Sequence, residues 1–497
     1  MSEELRINRI AEVGALWCDF YHLSTPYTLF LDGQHDVVET YEMFIRKNPF
    51  NGGYTLNAGL GIMLDWLRSW KFTDKHLDLL RKYKTKTGQQ KFSEDFLNML
   101  KNTPLKVDID ALPEGELIFP NEPFVRITGP SWQCGLLESA FLNGINSSSL
   151  IATKTSRIVR SANIDGKIRP VAEFGLRRSN DFMGLIPSRS AIIGGIKKTS
   201  NMASTYVDGT EGTGTHPHFY IMHYEDEYEA FKKWLIYNKD DATTLLVDSY
   251  NTLEAVKKVI KAHKETGIAV DSIRLDSGDL AYLSKEARKM FDDAGMTNTK
   301  IIASNDLDEY SILSLIQEQG AKIDSFGIGT KLVAPSDSST LGGVYKLKTT
   351  NNRDVIKVSD NPIKTTIPGK TEIIRIIEKG EVDKFGGDII VSADNNLQQE
   401  GVLENDIVSI NSITEEKRIF EKGTKYYKPI IPVVKNGKII NDLDKKPLSE
   451  IAEFANKNLN LLDESHKRFI NPHIYVVGIE ESLYNERKDM IIKYREI

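Results

Sequence analysis

The middle of the chain alternates between two spacings of hydrophobic residues. Short apolar runs bounded by polar residues are typical of buried strands, and they occur at TTLLVDS (243–249), SIRLDS (272–277), KIIASND (300–306) and IDSFGIGT (323–330). Segments with apolar residues at helical spacing separate these runs, so strand starts recur about every 25 to 30 residues, the length of one strand-plus-helix unit. This pattern predicts an α/β fold with a parallel sheet or an irregular, TIM-like β/α barrel.

The predicted helices have recognisable ends. In TLEAVKKVIKAHKETG, the apolar residues Leu253, Val256 and Ile260 share one helical face, and Gly267 ends the helix. An acidic triplet at residues 225–227 opens another such helix. The helical segments therefore fit the connections of a parallel sheet.

The N-terminal part of the chain has a different pattern. Residues 1–100 are interpreted as mostly helical, whereas residues 105–128 alternate apolar and polar positions between Pro and Gly turns. That alternation predicts antiparallel strands. Two separate helices are expected next, at residues 136–145 and 149–162.

Beyond about residue 345, short β segments and turns return, including a predicted hairpin at residues 427–440. Each end of the chain alone is too small and open to form a stable domain. We therefore expect residues 1–150 and 346–497 to combine into an α+β domain, with residues 151–345 forming the barrel.

Charge and cysteine content narrow the class of protein. The 64 Lys and Arg nearly balance the 70 Asp and Glu, so no basic field favours nucleic acid or an anionic membrane surface. No apolar run approaches the roughly 18 residues of a membrane-spanning helix. The two cysteines, Cys18 and Cys134, cannot form a disulfide framework, and the N-terminus lacks the pattern of a signal peptide. We expect a cytoplasmic protein whose partners are small molecules or other subunits.

Polar residues cluster where the predicted strands end. They are Arg177 and Arg178, Asp248 and Ser249, Arg274 and Asp276, Ser304 to Asp306, and Gly327 to Thr330. In β/α barrels, the carboxyl ends of the strands build the active site. An aspartate at such a position can equally cap the following helix, and that alternative stays open for each one.

Three motifs at these strand ends suit an anionic, sugar-bearing ligand. The glycines of SFGIGT (325–330) let backbone amides approach a phosphate. In EFGLRRSN, Phe174 offers a stacking face and Arg177 a fork for a carboxylate or phosphate, although a core phenylalanine and a structural ion pair explain the same residues. RLDSGDL (274–280) supplies an arginine and two aspartates for ribose hydroxyls or magnesium-bound waters.

The stretch GTGTHPHFYIMH (212–223) places His216, His218 and His223 on a glycine-rich loop before a helix. A zinc site is disfavoured because no cysteine lies near and no HExxH spacing appears. A histidine that accepts a phosphoryl group or acts as acid or base suits an anion-binding loop. Hydrogen-bonded surface histidines are the remaining alternative.

Together, the motifs resemble those of the nicotinate phosphoribosyltransferase family. The matching segments, in chain order, are RKNPFNGGY, FPNEPFVRITGP, LIATKTSRI, EFGLRR, SRSAIIGG with TSN, GTHPH, RLDSGDL, SNDLDEY and FGIGT. The resemblance implies the type II phosphoribosyltransferase fold, in which an irregular β/α barrel adjoins an α+β domain built from both termini. It also implies an enzyme of NAD biosynthesis that makes nicotinate mononucleotide and pyrophosphate from nicotinate and phosphoribosyl pyrophosphate.

The resemblance further implies roles for individual residues. His218 would be phosphorylated by ATP and would act in catalysis with Arg274 and Asp276. The nicotinate site would contain Tyr21, Phe174, Arg177, Ser200, Thr215 and Arg274, with the rings of Tyr21 and Phe174 sandwiching the pyridine. The phosphoribosyl site would contain Asp248, Asp279, Ser304, Asn305, Gly327, Gly329 and Thr330, and Asp248 and Asp279 would also contact Mg²⁺.

Partners follow from the same resemblance. Tyr21 would act across the interface of a homodimer, Mg²⁺ would accompany phosphoribosyl pyrophosphate, and ATP would be a co-substrate. Ser200 stands where the nicotinamide-specific relatives carry an aspartate, and its hydroxyl can donate to a carboxylate, which favours nicotinate. Nicotinamide phosphoribosyltransferase activity and a non-catalytic nucleotide sensor of the same fold are the alternatives.

Overall fold

Strands and helices alternate through the middle of the chain, and strands predominate toward the C-terminus. The computed structural model describes residues 12–441 and 443–495. Its strands are β1 Val38–Ile45, β2 Thr55–Leu56, β3 Asp108–Ala111, β4 Leu117–Ile118, β5 Val125–Pro130, β6 Val171–Glu173, β7 Lys198–Thr199, β8 Glu211–Gly212, β9 Thr244–Leu246, β10 Ser272–Leu275, β11 Lys300–Asn305, β12 Ser325–Ile328, β13 Gly343–Thr350, β14 Arg353–Asp354, β15 Thr371–Glu378, β16 Lys384–Ser392, β17 Glu400–Val402, β18 Ile407–Ile410, β19 Lys417–Phe420, β20 Lys425–Tyr427, β21 Ile431–Lys435, β22 Lys438–Ile439 and β23 Val477–Glu480.

The helices range from single turns to one long rod. They are α1 Tyr21–Leu31, α2 Leu60–Arg68, α3 Asp74–Arg81, α4 Glu94–Asn102, α5 Ser131–Ala162, α6 Leu185–Ile193, α7 Met202–Asp208, α8 His218–Met222, α9 Glu227–Tyr237, α10 Thr252–Thr266, α11 Leu280–Asp293, α12 Glu309–Leu313, α13 Thr330–Val333, α14 Leu448–Leu461 and α15 Glu481–Arg495. Among these helices, none is both long enough and apolar enough to cross a membrane.

Two compact units divide the chain. The first combines the described chain up to Leu150 with Thr340–Pro447 and the part from Phe454 onward. The second comprises Ile151–Ser339 together with Leu448–Glu453, which begins α14.

The first unit is built on sheets that both ends of the chain share. One seven-stranded sheet has the order β14-β13-β1-β5-β3-β21-β22, in which β1 pairs with β13 and β5, and β3 pairs with β21. A second sheet has the order β17-β20-β15-β16-β23-β18-β19. Buried apolar side chains such as Phe96, Ile127 and Trp132 form a hydrophobic core in this first unit. The expected α+β fold built from both termini is therefore confirmed.

Two elements of this part of the chain differ from the sequence expectation. Strand β1 lies in the stretch interpreted as mostly helical. It forms as a strand because it has hydrogen-bonded neighbours on both sides, and this tertiary pairing outweighs local propensity. The two helices expected around Gly144 form the single helix α5. Gly144 serves close packing there, since a Cβ at this position would lie 2.4 Å from Met63 Sδ.

The second unit contains a parallel sheet with the order β8-β7-β6-β12-β11-β10-β9. Every recorded pair of neighbouring strands in it is parallel. Helices α10 and α11 connect its strands, and Gly267 ends α10 with a φ of 69°, as predicted. The expected β/α architecture is confirmed, in an irregular form in which β8 and β9 are the two edges.

Candidate active site

The carboxyl edge of the parallel sheet gathers most of the predicted site residues. Phe174 follows β6, Ser200 follows β7, Asp248 follows β9, and Asp276 follows β10. Because parallel strands end at one edge of the sheet, the polar residues of distant sequence segments converge there. Their contacts define the candidate site.

The Arg274 guanidinium organises the centre of this edge. Its Nε donates to Ser304 Oγ at 2.7 Å, Nη1 donates to Thr215 Oγ1 at 3.0 Å, and Nη2 donates to Asp276 Oδ1 at 2.7 Å. The Ser304 hydroxyl in turn donates to the Asp276 carboxylate. The planar fork of arginine suits several fixed acceptors at once. One cation therefore links the polypeptide after β8 to β10 and β11.

His218 begins α8 and contacts a buried carboxylate. Its Nε2 lies 3.2 Å from Asp248 Oδ1, and the side chain of His218 is 42% exposed while that of Asp248 is 1% exposed. Asp248 also accepts the N–H of Asp276 at 3.2 Å and the hydroxyl of Ser277 at 2.5 Å. When Nε2 of His218 carries the proton, the lone pair of Nδ1 is available for proton or phosphoryl transfer.

An aromatic ring packs beside this network. The Phe174 ring faces Arg274, with 5.3 Å between the guanidinium carbon and the ring centroid. The Phe174 N–H donates to the carbonyl of Ile328 at 2.7 Å. A Cβ on Gly327 would lie 2.3 Å from Phe174 Cε2, so glycine is needed at this position to leave room for the ring. The predicted phosphate-site glycine thus also shapes the aromatic surface.

A buried glutamate that the sequence motifs did not single out supports the same region. Glu173 ends β6 with no exposed surface, and its carboxylate accepts the N–H of Gly175 and the hydroxyls of Ser188 and Thr199. These bonds fix the turns after β6 and β7. The sequence does carry a signal for this role, since Glu173 is a carboxylate inside the apolar run VAEFG. A charge in a buried strand requires polar partners, which predicts a supporting hydrogen-bond network.

Three predicted nicotinate-site residues lie outside the Arg274 network. Tyr21 lies in the first unit as the first residue of α1 and is 52% exposed. Arg177 is exposed on the 3₁₀ turn Leu176–Arg178. The Ser200 N–H donates to the carbonyl of Glu173 at 2.9 Å, which ties the end of β7 to β6.

Predicted phosphoribosyl-site residues occupy further strand ends. Asp279 caps α11 by accepting the N–H of Tyr282 at 2.9 Å, which is the helix-cap alternative left open by the sequence. Asn305 ends β11 with a φ of 130°, a strained region for a non-glycine residue that is enriched at functional sites. Gly329 and Thr330 lie at the start of α13.

The described residues do not form a metal site by themselves. Within residues 12–441 and 443–495, no group of three or more His, Cys, Asp or Glu side chains could hold a metal ion. Asp248 already accepts three hydrogen bonds, and the Asp279 carboxylate caps a helix. A protein-only magnesium site therefore does not fit these residues.

A parallel α/β sheet whose carboxyl edge brings together an arginine, carboxylates and a histidine is typical of enzymes of the β/α-barrel class, which carry their active sites at that edge. Three family models match the chain: the nicotinate phosphoribosyltransferase N-terminal domain at residues 16–146, the nicotinate phosphoribosyltransferase family at residues 171–398, and the nicotinate phosphoribosyltransferase C-terminal domain at residues 370–487.

Individual relatives agree with these matches. A nicotinate phosphoribosyltransferase of Bacillus subtilis is 35% identical over 96% of this chain and 95% of its own length. One of Caenorhabditis elegans is 30% identical over 95% of this chain and 92% of its own length. The chain therefore belongs to the nicotinate phosphoribosyltransferase family, and it is an enzyme.

Solved structures share the fold. Human nicotinic acid phosphoribosyltransferase superposes with a TM-score of 0.80 at 23% identity, covering 95% of this chain and 99% of the human one. A nicotinate-nucleotide pyrophosphorylase from Pyrococcus furiosus gives a TM-score of 0.68 at 19% identity, covering 93% and 97%.

Proposed function

We propose that this enzyme joins nicotinate to phosphoribosyl pyrophosphate, releasing nicotinate mononucleotide and pyrophosphate, as an ATP-coupled step of NAD synthesis in the cytoplasm. The observation that carries the proposal is the Arg274 network. A guanidinium held by Ser304, Thr215 and Asp276, with Phe174 against it, offers a cation and a flat apolar surface side by side. A pyridine that bears a carboxylate needs both.

In the proposed reaction, the protein stabilises charge and orients the ring. Loss of pyrophosphate leaves an oxocarbenium-like carbon on the ribose, and the nicotinate ring nitrogen attacks that carbon. The carboxylates of Asp248 and Asp276 at the strand ends suit ribose hydroxyls and the developing positive charge. The Ser200 hydroxyl, which can donate to a carboxylate, favours nicotinate over nicotinamide.

The pairing of His218 with Asp248 supports ATP coupling. With Nε2–H donating to Asp248, Nδ1 attacks the γ-phosphorus of ATP, the Nδ1–P bond forms, and the bond from that phosphorus to the ADP oxygen breaks. Water later attacks the phosphorus and releases phosphate. The phosphorylated loop binds the pyrophosphate substrate differently from the bare loop, which couples the two reactions.

Magnesium enters this proposal with its substrate. The ion usually binds one or two carboxylates together with substrate phosphates. Mg²⁺ therefore enters the site bound to phosphoribosyl pyrophosphate, and contact of the ion with Asp248 and Asp279 stays a prediction.

A direct assay tests this function. Purified enzyme is incubated with Mg²⁺, phosphoribosyl pyrophosphate and ATP, together with either nicotinate or nicotinamide, and the mononucleotide products are separated. Product from nicotinate is expected. Product from nicotinamide alone would make the enzyme the nicotinamide-specific relative, and ligand binding without pyrophosphate release would make it a non-catalytic sensor.

The phosphohistidine has its own test. Incubation with γ-labelled ATP is expected to give an acid-labile phosphoprotein in the wild type, and His218→Ala is expected to lose the label. His223→Gln, which changes an exposed histidine on the same segment, is the matched control. Label that persists in His218→Ala would exclude His218 as the sole acceptor.

We further propose a homodimer in which Tyr21 completes the nicotinate site of the other subunit. The exposed Tyr21 ring supports this, as do the exposed apolar side chains of Met202, Tyr206 and Phe219 on α7 and α8. Tyr21→Ala and His218→Ala are each expected to be inactive alone. In a mixed dimer of the two variants, one of the two sites keeps the native His218 of one subunit and the native Tyr21 of the other.

Recovered activity in the co-expressed pair, together with a dimer by light scattering, is the expected outcome. Absence of recovery, despite mixed dimers isolated by two affinity tags, would contradict a role for Tyr21 across the interface. A fully active monomer would contradict the dimer itself.

A further inference from the structure

His216 differs from its neighbour His218 in being buried. Its exposed fraction is 1%. Its ring packs against Trp234 of α9 with centroids 4.7 Å apart and against Tyr220 of α8 with centroids 5.2 Å apart. Two aromatic contacts and full burial fix the orientation of this imidazole.

The imidazole contacts an edge strand of the parallel sheet. The Val247 N–H, just beyond β9, donates to the backbone carbonyl of Arg274 in β10 at 3.3 Å. Since successive N–H groups of a strand point to opposite sides, the Leu246 N–H points to the open edge. Leu246 is fully buried, so this donor requires a partner. His216 Nε2 accepts it at 3.1 Å.

We propose that His216 is a positioning residue, which joins the loop after β8 to the edge of β9 and thereby holds Thr215 and His218 in place. Strands β8 and β9 are the two edges of the sheet, and the imidazole links them where the sheet has no ladder. On one side of His216, Thr215 reaches Arg274. On the other, His218 reaches Asp248.

The contact also fixes the protonation of the ring. An Nε2 that accepts an N–H carries no hydrogen, so the neutral ring holds its proton on Nδ1. Burial lowers the pKa of His216 to about 4, although a hydrogen bond with the backbone at Pro217 opposes that shift, and the neighbouring Arg274 and His218 side chains add to it. The imidazole therefore remains an acceptor at neutral pH.

Two substitutions separate this role from general packing. His216→Gln keeps an acceptor oxygen near the position of Nε2, whereas His216→Leu fills the space without one. We expect His216→Leu to lower kcat about 100-fold with a smaller change in the KM for phosphoribosyl pyrophosphate, because catalytic groups lose their alignment. His216→Gln is expected to restore most of the turnover, and His223→Gln is the matched control. Wild-type kcat in a folded His216→Leu protein would overturn the proposal.

A second measurement does not depend on turnover. In ¹⁵N-histidine-labelled protein, one imidazole is expected with a bare Nε2, a protonated Nδ1 and no titration between about pH 5 and 8, and His216→Gln should remove its signals. If these signals instead show a protonated Nε2 or titrate near the ordinary histidine pKa, the inference is wrong. The kinetic arm rests on the proposed function of His218, so an inactive wild type would contradict that function while the spectra still decide the position of His216.

Discussion

At the scale of single residues, the Arg274 guanidinium donates to three oxygen partners on different elements. Arg274→Lys keeps the charge but loses the fork, so a lysine cannot reach Ser304, Thr215 and Asp276 together. We expect kcat/KM for nicotinate to fall about 10- to 100-fold, since a charge-assisted hydrogen bond contributes about 1.5–3 kcal/mol. Steady-state kinetics with nicotinate as the varied substrate measures this.

Arg288→Lys is the control for this substitution. Arg288 also holds one aspartate, Asp292, and in addition two backbone carbonyls, but it lies on α11 away from the Arg274 network. The Arg288→Lys variant is expected to keep the wild-type kcat/KM for nicotinate. Equal losses in the two variants would show that the effect is one of stability and would contradict the assigned role of Arg274.

At the scale of elements, β12 carries a prediction through Gly327. Gly327→Ala would place a methyl group against the ring of Phe174, which must then move. We expect the KM for nicotinate to rise more than the KM for phosphoribosyl pyrophosphate. Gly342→Ala, where a Cβ meets open space, is the matched control. A larger rise for phosphoribosyl pyrophosphate would instead favour the phosphate-site role predicted for Gly327.

The elements also show what the sequence can predict. Between residues 243 and 330, each strand is a short buried run with a polar end, and helix limits are local signals, such as Asn251 capping α10. Strand β1 escaped prediction because its stability comes from strands that follow much later in the chain. Helix α5 escaped because Gly144 acts in packing, which only the fold reveals.

The contacts among the candidate site residues are harder to predict from the sequence than their positions at strand ends. Polar residues at strand ends are visible in the sequence, but the bond between His218 and Asp248 joins opposite edges of an irregular sheet. That proximity depends on how the sheet curves. The supporting role of Glu173 was missed because its hydroxyl partners, Ser188 and Thr199, come from other segments of the chain.

At the scale of the whole molecule, a buried ionic cluster in the first unit affects stability. Arg375 contacts Glu116, Glu122 and Asp388, and all four are at most 2% exposed. Burial raises the pKa of Glu122 well above 4.5, and the charge of Asp388 raises it further. The folded protein thus holds a proton that the unfolded chain releases at a lower pH.

This gives a pH dependence with a defined sign. A carboxyl whose pKa is higher in the folded state favours folding fully below its unfolded pKa, and that contribution is lost as pH rises toward the folded value. Glu122→Gln keeps an acceptor for the Phe119 N–H but has no proton to lose. We expect the slope of the unfolding free energy against pH to be less negative in this variant than in the wild type, beginning above the unfolded glutamate pKa of about 4.3.

Urea unfolding at a series of pH values measures these slopes, with the exposed Glu404→Gln as the control. The control should follow the wild type. A Glu122→Gln slope equal to that of the wild type would show that Glu122 is ionised in the folded protein, contrary to the expected direction of its pKa.

The shared sheet of the first unit also sets an order in time during synthesis. Strand β3 has one hydrogen-bonded neighbour, β5, early in the chain, but its other neighbour, β21, leaves the ribosome only after the whole sheet β6–β12 has been made. The nascent protein therefore completes the sheet β6–β12 while β3 still exposes an unpaired edge, and such an edge favours pairing with other chains. The strands that complete the first unit are thus translated after β6–β12, and until then the half-made protein presents an edge that favours aggregation.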